Sequence, residues 1–141
     1  MSYATILLPV FVLIFLTFGL LFWMGATRVG SLKRGETRIP DIALGQPNWP
    51  ARAQQIHNSY ANQFQLPVLF YILTILAMFT RQADYLFVVM AWLFVLARIA
   101  HVYIHTTSNY VRHRFNAFLV GAVILLAMWI IFAVRILLAI Q

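Results

Sequence analysis

The chain has no cysteine and only three acidic residues, Glu36, Asp41 and Asp84, in 141 positions. Without cysteine there is no disulfide, no thiolate metal site and no cysteine nucleophile. The three acids fall in expected loops or at a helix start. That excludes a carboxylate pair working as general acid and base inside the hydrophobic part of the chain, and a serine-histidine-acid system lacks its acid. Charged residues of both signs make up only 9% of the sequence against 63% hydrophobic, with a mean hydropathy of +0.86. A soluble domain carries about a quarter charged residues, so this composition is that of an integral membrane protein. A chain of this length reads as one domain, 1–141, whose own buried core is limited, and self-association is the expectation.

The net charge of +7 would suggest a nucleic-acid partner in a soluble protein. Here the basic residues cluster at segment ends and in one loop, which membrane orientation explains without nucleic acid. The first hydrophobic stretch has no basic leader and no small-residue cleavage pattern, and is too long for a signal-peptide core. It reads as a retained transmembrane helix, about residues 4–26, with Phe22 and Trp23 as interfacial aromatics.

A connection from Thr27 to about Ala53 follows, holding Arg28, Lys33, Arg34, Arg38 and Arg52 among glycines and prolines. It is expected to be a loop, either a basic tether or a lid over a site at the membrane surface. The second helix, about 55–80, begins polar (Gln54, Gln55, His57, Asn58, Ser59, Asn62, Gln63, Gln65) and turns apolar after Pro67, which should kink it. A short link around Arg81–Asp84 makes the second and third helices an antiparallel hairpin. The third helix is expected at about 85–107 and the fourth at about 114–138, giving an all-α bundle of four transmembrane helices. The first and third loops carry most of the positive charge. Both termini are therefore expected outside the cytoplasm, with those two loops inside.

The third helix is the unusual one. Arg98, His101 and His105 recur at i, i+3 and i+7, so they project from one face of an otherwise apolar helix, with Arg112 and Arg114 just beyond. An ionisable side chain at membrane depth normally faces the protein interior or a wet cavity and is a functional-site hypothesis. The plainer reading is a helix end anchored at the interface. Topology brings the polar start of the second helix to the same end of the bundle. This converges on one pocket built from Asn58, Asn62, Gln63, Arg98, His101, His105 and Arg114. Cations and amides without a carboxylate suit an anionic ligand, and an arginine there can stabilise a thiolate or developing oxyanion. His101 and His105 with His57 or His113 are the only candidate metal ligands, but no carboxylate is available to support them and no metal is expected.

These residues resemble the MAPEG family, the membrane-associated proteins of eicosanoid and glutathione metabolism. The likeness rests on four hydrophobic spans, a basic first loop, Asn62 to Pro67 (NQFQLP) before VLFY, the pattern AR-x-x-H-x-x-x-H ending at His105, and a basic third loop. It runs from Gln54 to the end and, more loosely, over the first helix, and is nearest the small bacterial branch. The resemblance implies a homotrimer, with glutathione held between neighbouring subunits near the cytoplasmic face and a lipophilic small molecule entering from the lipid bilayer. It places Arg114 where the enzymes carry the arginine that stabilises the glutathione thiolate, and Arg98 and His101 on the third-helix motif. His105 falls where eicosanoid enzymes commonly have tyrosine. Asn58, Asn62, Gln63, Arg98, His101, His105 and Arg112 are then the expected glutathione-binding set. Gln63 stands at the place of a glutamate expected to pair with the glutathione amino group, and Tyr60 at that of an asparagine. The implied function is a glutathione-dependent membrane transferase or peroxidase acting on a lipophilic substrate. The alternative is a non-catalytic lipid- or partner-binding protein of the same fold, because the family includes a lipoxygenase-activating member that presents lipid without chemistry.

Overall fold

The structure, a computed structural model, describes residues 1–139. It is all-helical, with no strand among the described residues. Helix α1 spans Tyr3–Lys33, α2 Ala51–Asn62, α3 Leu66–Phe79, α4 Tyr85–Thr106 and α5 Val111–Leu138, with a single 3₁₀ turn at Ile39–Asp41. Four units are long and apolar enough to cross a membrane: α1, α2 with α3 together, α4 and α5. The chain is thus a multi-pass membrane protein.

The second and fourth helices start three or four residues earlier than expected, at Ala51 and Val111, and two larger departures each have a physical reason. Helix α1 runs on to Lys33, well past the apolar stretch. At about 1.5 Å per residue its length is roughly 46 Å, more than the ~30 Å hydrocarbon core, so one end projects into the polar layer, where Arg28 and Lys33 are tolerated. The second span is not one helix. Pro67 has no N–H to give, and ahead of it the ladder loosens to three-residue bonds: Gln63 N–H to the Tyr60 carbonyl, Phe64 to Ala61, and Gln65 to Asn62. Residues 63–65 form the break between α2 and α3.

Asp84 starts α4 by accepting the Phe87 backbone N–H at 3.0 Å. It also pairs with Arg135 of α5 at 2.8 Å, which ties that end of the bundle. From there α4 buries Phe87, Val88, Ala91, Phe94 and Val95 in steps of three and four against Ile6, Val10 and Leu13 of α1, Phe70, Leu73 and Ala77 of α3, and Leu125 and Met128 of α5. The Phe70 and Phe94 rings meet at 4.9 Å. The same buried seam then turns polar, continuing through Arg98, His101 and His105.

The connection between α1 and α2 is packed back on the helices it joins. Ser31 and Thr37, both buried, share a hydrogen bond at 2.8 Å. Asn48 Nδ2 donates to the Asp41 carbonyl at 2.7 Å, and the Arg28 guanidinium lies 4.6 Å from the Trp49 ring centre. Glu36 is held below the usual carboxylate range by the hydrogen bond from Arg34 Nε at 2.8 Å. Folded this way, the connection walls a cavity of about 380 Å³ that includes Arg28, Trp49, Gln54 and His57.

Candidate functional site

At the end of the bundle away from the Asp84–Arg135 pair, α2, α4 and α5 border an open cavity of about 490 Å³, within the usual size range for small-molecule sites. Asn58, Asn62 and Gln65 line it from the second span, His101 and His105 from α4, and Arg114 with Val111, Phe115 and Phe118 from α5. One side is polar and the other apolar. That division follows from the elements: α2 is the polar half of its span, α4 delivers the histidines four residues apart on one face, and α5 opens with a basic turn before becoming hydrophobic.

Arg98 stands one turn deeper on α4 than His101. It is 1% exposed, the largest fully buried side chain in the described protein. Its Nη2 donates to Asn62 Oδ1 at 2.6 Å, while Nε and Nη1 have no hydrogen-bond partner. The His101 and His105 rings meet edge to face at 5.4 Å, and His101 lies 5.9 Å from the Phe118 ring. The Nδ1 atoms of both histidines are buried without a partner. Buried polar atoms are rarely left unsatisfied, and where they cluster beside a cavity they mark a place that a ligand or water completes.

Two groups outside the cavity hold its walls. Gln55 Nε2 donates to the His105 carbonyl at 2.9 Å and Arg52 donates to the Thr106 carbonyl, so side chains from the start of α2 satisfy the open carbonyls at the end of α4. Arg52 also stacks over Trp23 of α1 at 5.1 Å. In the turn between α4 and α5, Asn109 takes a left-handed backbone conformation with φ of 51°. It closes α4 through its N–H to the Ile104 carbonyl at 2.7 Å and accepts from Arg114 Nη1 at 2.7 Å.

Of the residues singled out by sequence, the structure brings Asn58, Asn62, His101, His105 and Arg114 to one cavity and sets Arg98 behind it, bonded to Asn62. Arg112 is exposed. Gln63 is 1% exposed and lines a different cavity of about 250 Å³ between α1 and the broken span, with Ile14, Phe18, Tyr60 and Tyr71. His57 contacts Met24 Sδ and His113 stacks on Tyr110, so neither joins His101 and His105. Among the described residues, no three metal-ligating side chains converge. Sequence reasoning placed Arg52 only in the basic connection and Gln55 only in the polar onset of the second helix, and passed over Asn109. For Asn109 a signal existed, since an asparagine in a tight polar turn just before a helix is a favoured left-handed position.

The residues fit glutathione in one respect that this structure shows: guanidinium donors with no acid to neutralise them lie beside a cavity large enough for a small peptide. Compared with curated proteins and with solved structures, the chain has no match. Its residues 6–134, nearly the whole length, match the model of the MAPEG family. With that match and four apolar spans, the chain belongs to the MAPEG family, which sets its function at family level among glutathione-related membrane transferases, peroxidases and their relatives.

Proposed function

We propose that this protein is a glutathione-dependent transferase or peroxidase that acts on a lipophilic substrate at the cytoplasmic face of the membrane, as a trimer. The observation that carries the reading is Arg114, which lines the 490 Å³ cavity and is held by its bond to Asn109. Glutathione, when bound, supplies a thiol for attack on an electrophile or for reduction of a hydroperoxide. Arg114 holds that sulfur as thiolate, because a nearby guanidinium favours the charged form. Asn58 and Asn62, the latter braced from behind by Arg98, bind the polar ends of the tripeptide, and His101 and His105 offer donors from α4. Val111, Phe115 and Phe118 form the apolar wall against which a lipophilic substrate is placed.

Glutathione binding to the detergent-purified protein, followed by calorimetry and by thiolate absorbance in the ultraviolet, tests this directly. Binding with a thiolate signal that Arg114→Ala abolishes, while the assembly stays intact, is the expected result. No binding at millimolar glutathione would refute it in favour of a lipid- or partner-binding protein without chemistry.

A further inference from the structure

We propose that the crevice between α1 and the broken second span is a binding site for an uncharged lipid alcohol of the bilayer, held by its hydroxyl at Gln63 and Tyr71. The site is separate from the cavity proposed for glutathione and does not depend on it. The break ahead of Pro67 divides the two: Asn62 and Gln65 line the 490 Å³ cavity, whereas Gln63 lines the 250 Å³ crevice. Gln63 is 1% exposed, yet its Nε2 and Oε1 both lack hydrogen-bond partners. The Tyr71 hydroxyl, which lines the same crevice, is also buried without one. Buried polar atoms are rarely left unmet. Three around one crevice, donors and acceptor together, call for a group that donates and accepts at once, which a hydroxyl does with a single atom.

The position of the crevice sets where its occupant comes from. Ile14, Phe18 and Leu21 recur at i, i+4 and i+7 on one face of α1. They precede the interfacial Trp23 by two to nine residues, roughly 3–14 Å inside the aromatic belt at about 1.5 Å per residue. Phe18 and Phe64 are exposed at its edge, so the crevice opens at hydrocarbon depth, where lipid and not water is the solvent. No charged residue lines it, and an ionised head group there would be buried without a counter-charge, which selects a neutral one. A volume of about 250 Å³ falls below the ~300–1,000 Å³ of sites that take up a whole small molecule. It accommodates a head group and the first carbons and leaves the tail in the bilayer, so the occupant is an amphiphile that enters from lipid with its hydroxyl first.

The test uses the full chain in phosphatidylcholine vesicles with two photoactivatable probes, a hexadecanol carrying a diazirine near its hydroxyl and the methyl ether of the same molecule. Crosslinks are mapped by peptide mass spectrometry. The alcohol should label the stretches Ile14–Leu21 and Tyr60–Tyr71, and excess unlabelled hexadecanol should suppress that labelling. The ether, which cannot donate and leaves Gln63 Oε1 unmet, should label them ~10-fold less. Gln63→Leu should lower labelling by the alcohol to the level of the ether, and Tyr71→Phe should lower it as well, which keeps the test open if the first variant does not fold. Neither side chain lines the 490 Å³ cavity, so glutathione binding should be the same in both variants. Equal labelling by alcohol and ether would overturn the proposal, because the crevice would then take apolar chain without reading a head group. Labelling by neither probe would also overturn it, and a photocrosslinked dimer from Phe18→p-benzoylphenylalanine would then identify a second copy of the chain as what covers the crevice.

Discussion

Replacing Arg98 with methionine should leave the ligand-free protein as stable as before or more so, while weakening its response to ligand. Arg98 is 1% exposed, and only Nη2 is satisfied, by Asn62 Oδ1 at 2.6 Å. A hydrogen bond from a charged donor contributes about 1.5–3 kcal/mol, and each buried donor left unmatched costs about 1–3 kcal/mol. The two unmatched nitrogens, Nε and Nη1, thus offset the one good bond before the desolvation of the charge is considered. Methionine fills a similar length with apolar volume, and Asn62, partly exposed beside the cavity, can pass its carbonyl to water. Exchanges of buried charges for apolar residues of similar volume are neutral or stabilising by about 1–4 kcal/mol. The assay is thermal unfolding in detergent with and without glutathione. Wild type at one hundred times Kd should gain about 2.7 kcal/mol, and a methionine variant that binds about 10-fold more weakly, having lost the brace on Asn62, about 1.4 kcal/mol at the same ligand concentration. A ligand-free variant destabilised by about 3 kcal/mol or more would refute the reasoning, since that is the signature of a buried pair that has lost one partner.

Asn109→Gly keeps a residue that accepts the left-handed turn but removes the acceptor that holds Arg114. It should lower kcat/KM by about 10-fold, the effect of one lost orienting bond to a charged group, with the helix content unchanged. Asn109→Asp, which retains both, should stay near wild type. Gln63→Leu replaces a buried amide whose Nε2 and Oε1 both lack partners. Unfolding should show it neutral or stabilised by about 1 kcal/mol, with glutathione affinity unchanged because the side chain lines the other cavity. Arg52→Ala exposes the Thr106 carbonyl and unstacks Trp23. A loss of about 1–2 kcal/mol, with faster amide exchange in the last turn of α4, is the expected outcome. Gly121→Ala would place its Cβ 3.6 Å from that of Ala97 and 3.7 Å from the Phe94 ring. Those are ordinary contacts, so the variant should be tolerated and gain up to about 1 kcal/mol from helix propensity, read as a raised Tm.

What the sequence made legible about this protein, and what it did not, divides where the helices break. Within α4 an unbroken ladder carries one angular step per residue from Phe87 to His105. The spacing of Arg98, His101 and His105 therefore sufficed to place all three on the buried face. The polar onset of the second span and the basic onset of the fourth could likewise be assigned to one end of the bundle from the order of the spans. Periodicity does not survive a break, however. The three-residue bonds at 63–65 rotate the chain ahead of Pro67, and of the two glutamines there Gln65 reaches the 490 Å³ cavity while Gln63 turns toward α1. Hydropathy also cannot see that α1 continues as helix beyond the hydrocarbon, because backbone hydrogen bonding does not require apolar side chains. The Asn109–Arg114 bond crosses a turn, where a single left-handed residue sets the geometry. Each of these places frees backbone groups or reverses the chain, and those are the same conditions that let polar side chains gather at membrane depth. The break ahead of Pro67 therefore borders the cavity, and the turn at Asn109 holds the Arg114 that lines it, for the same reason that periodicity could not describe them.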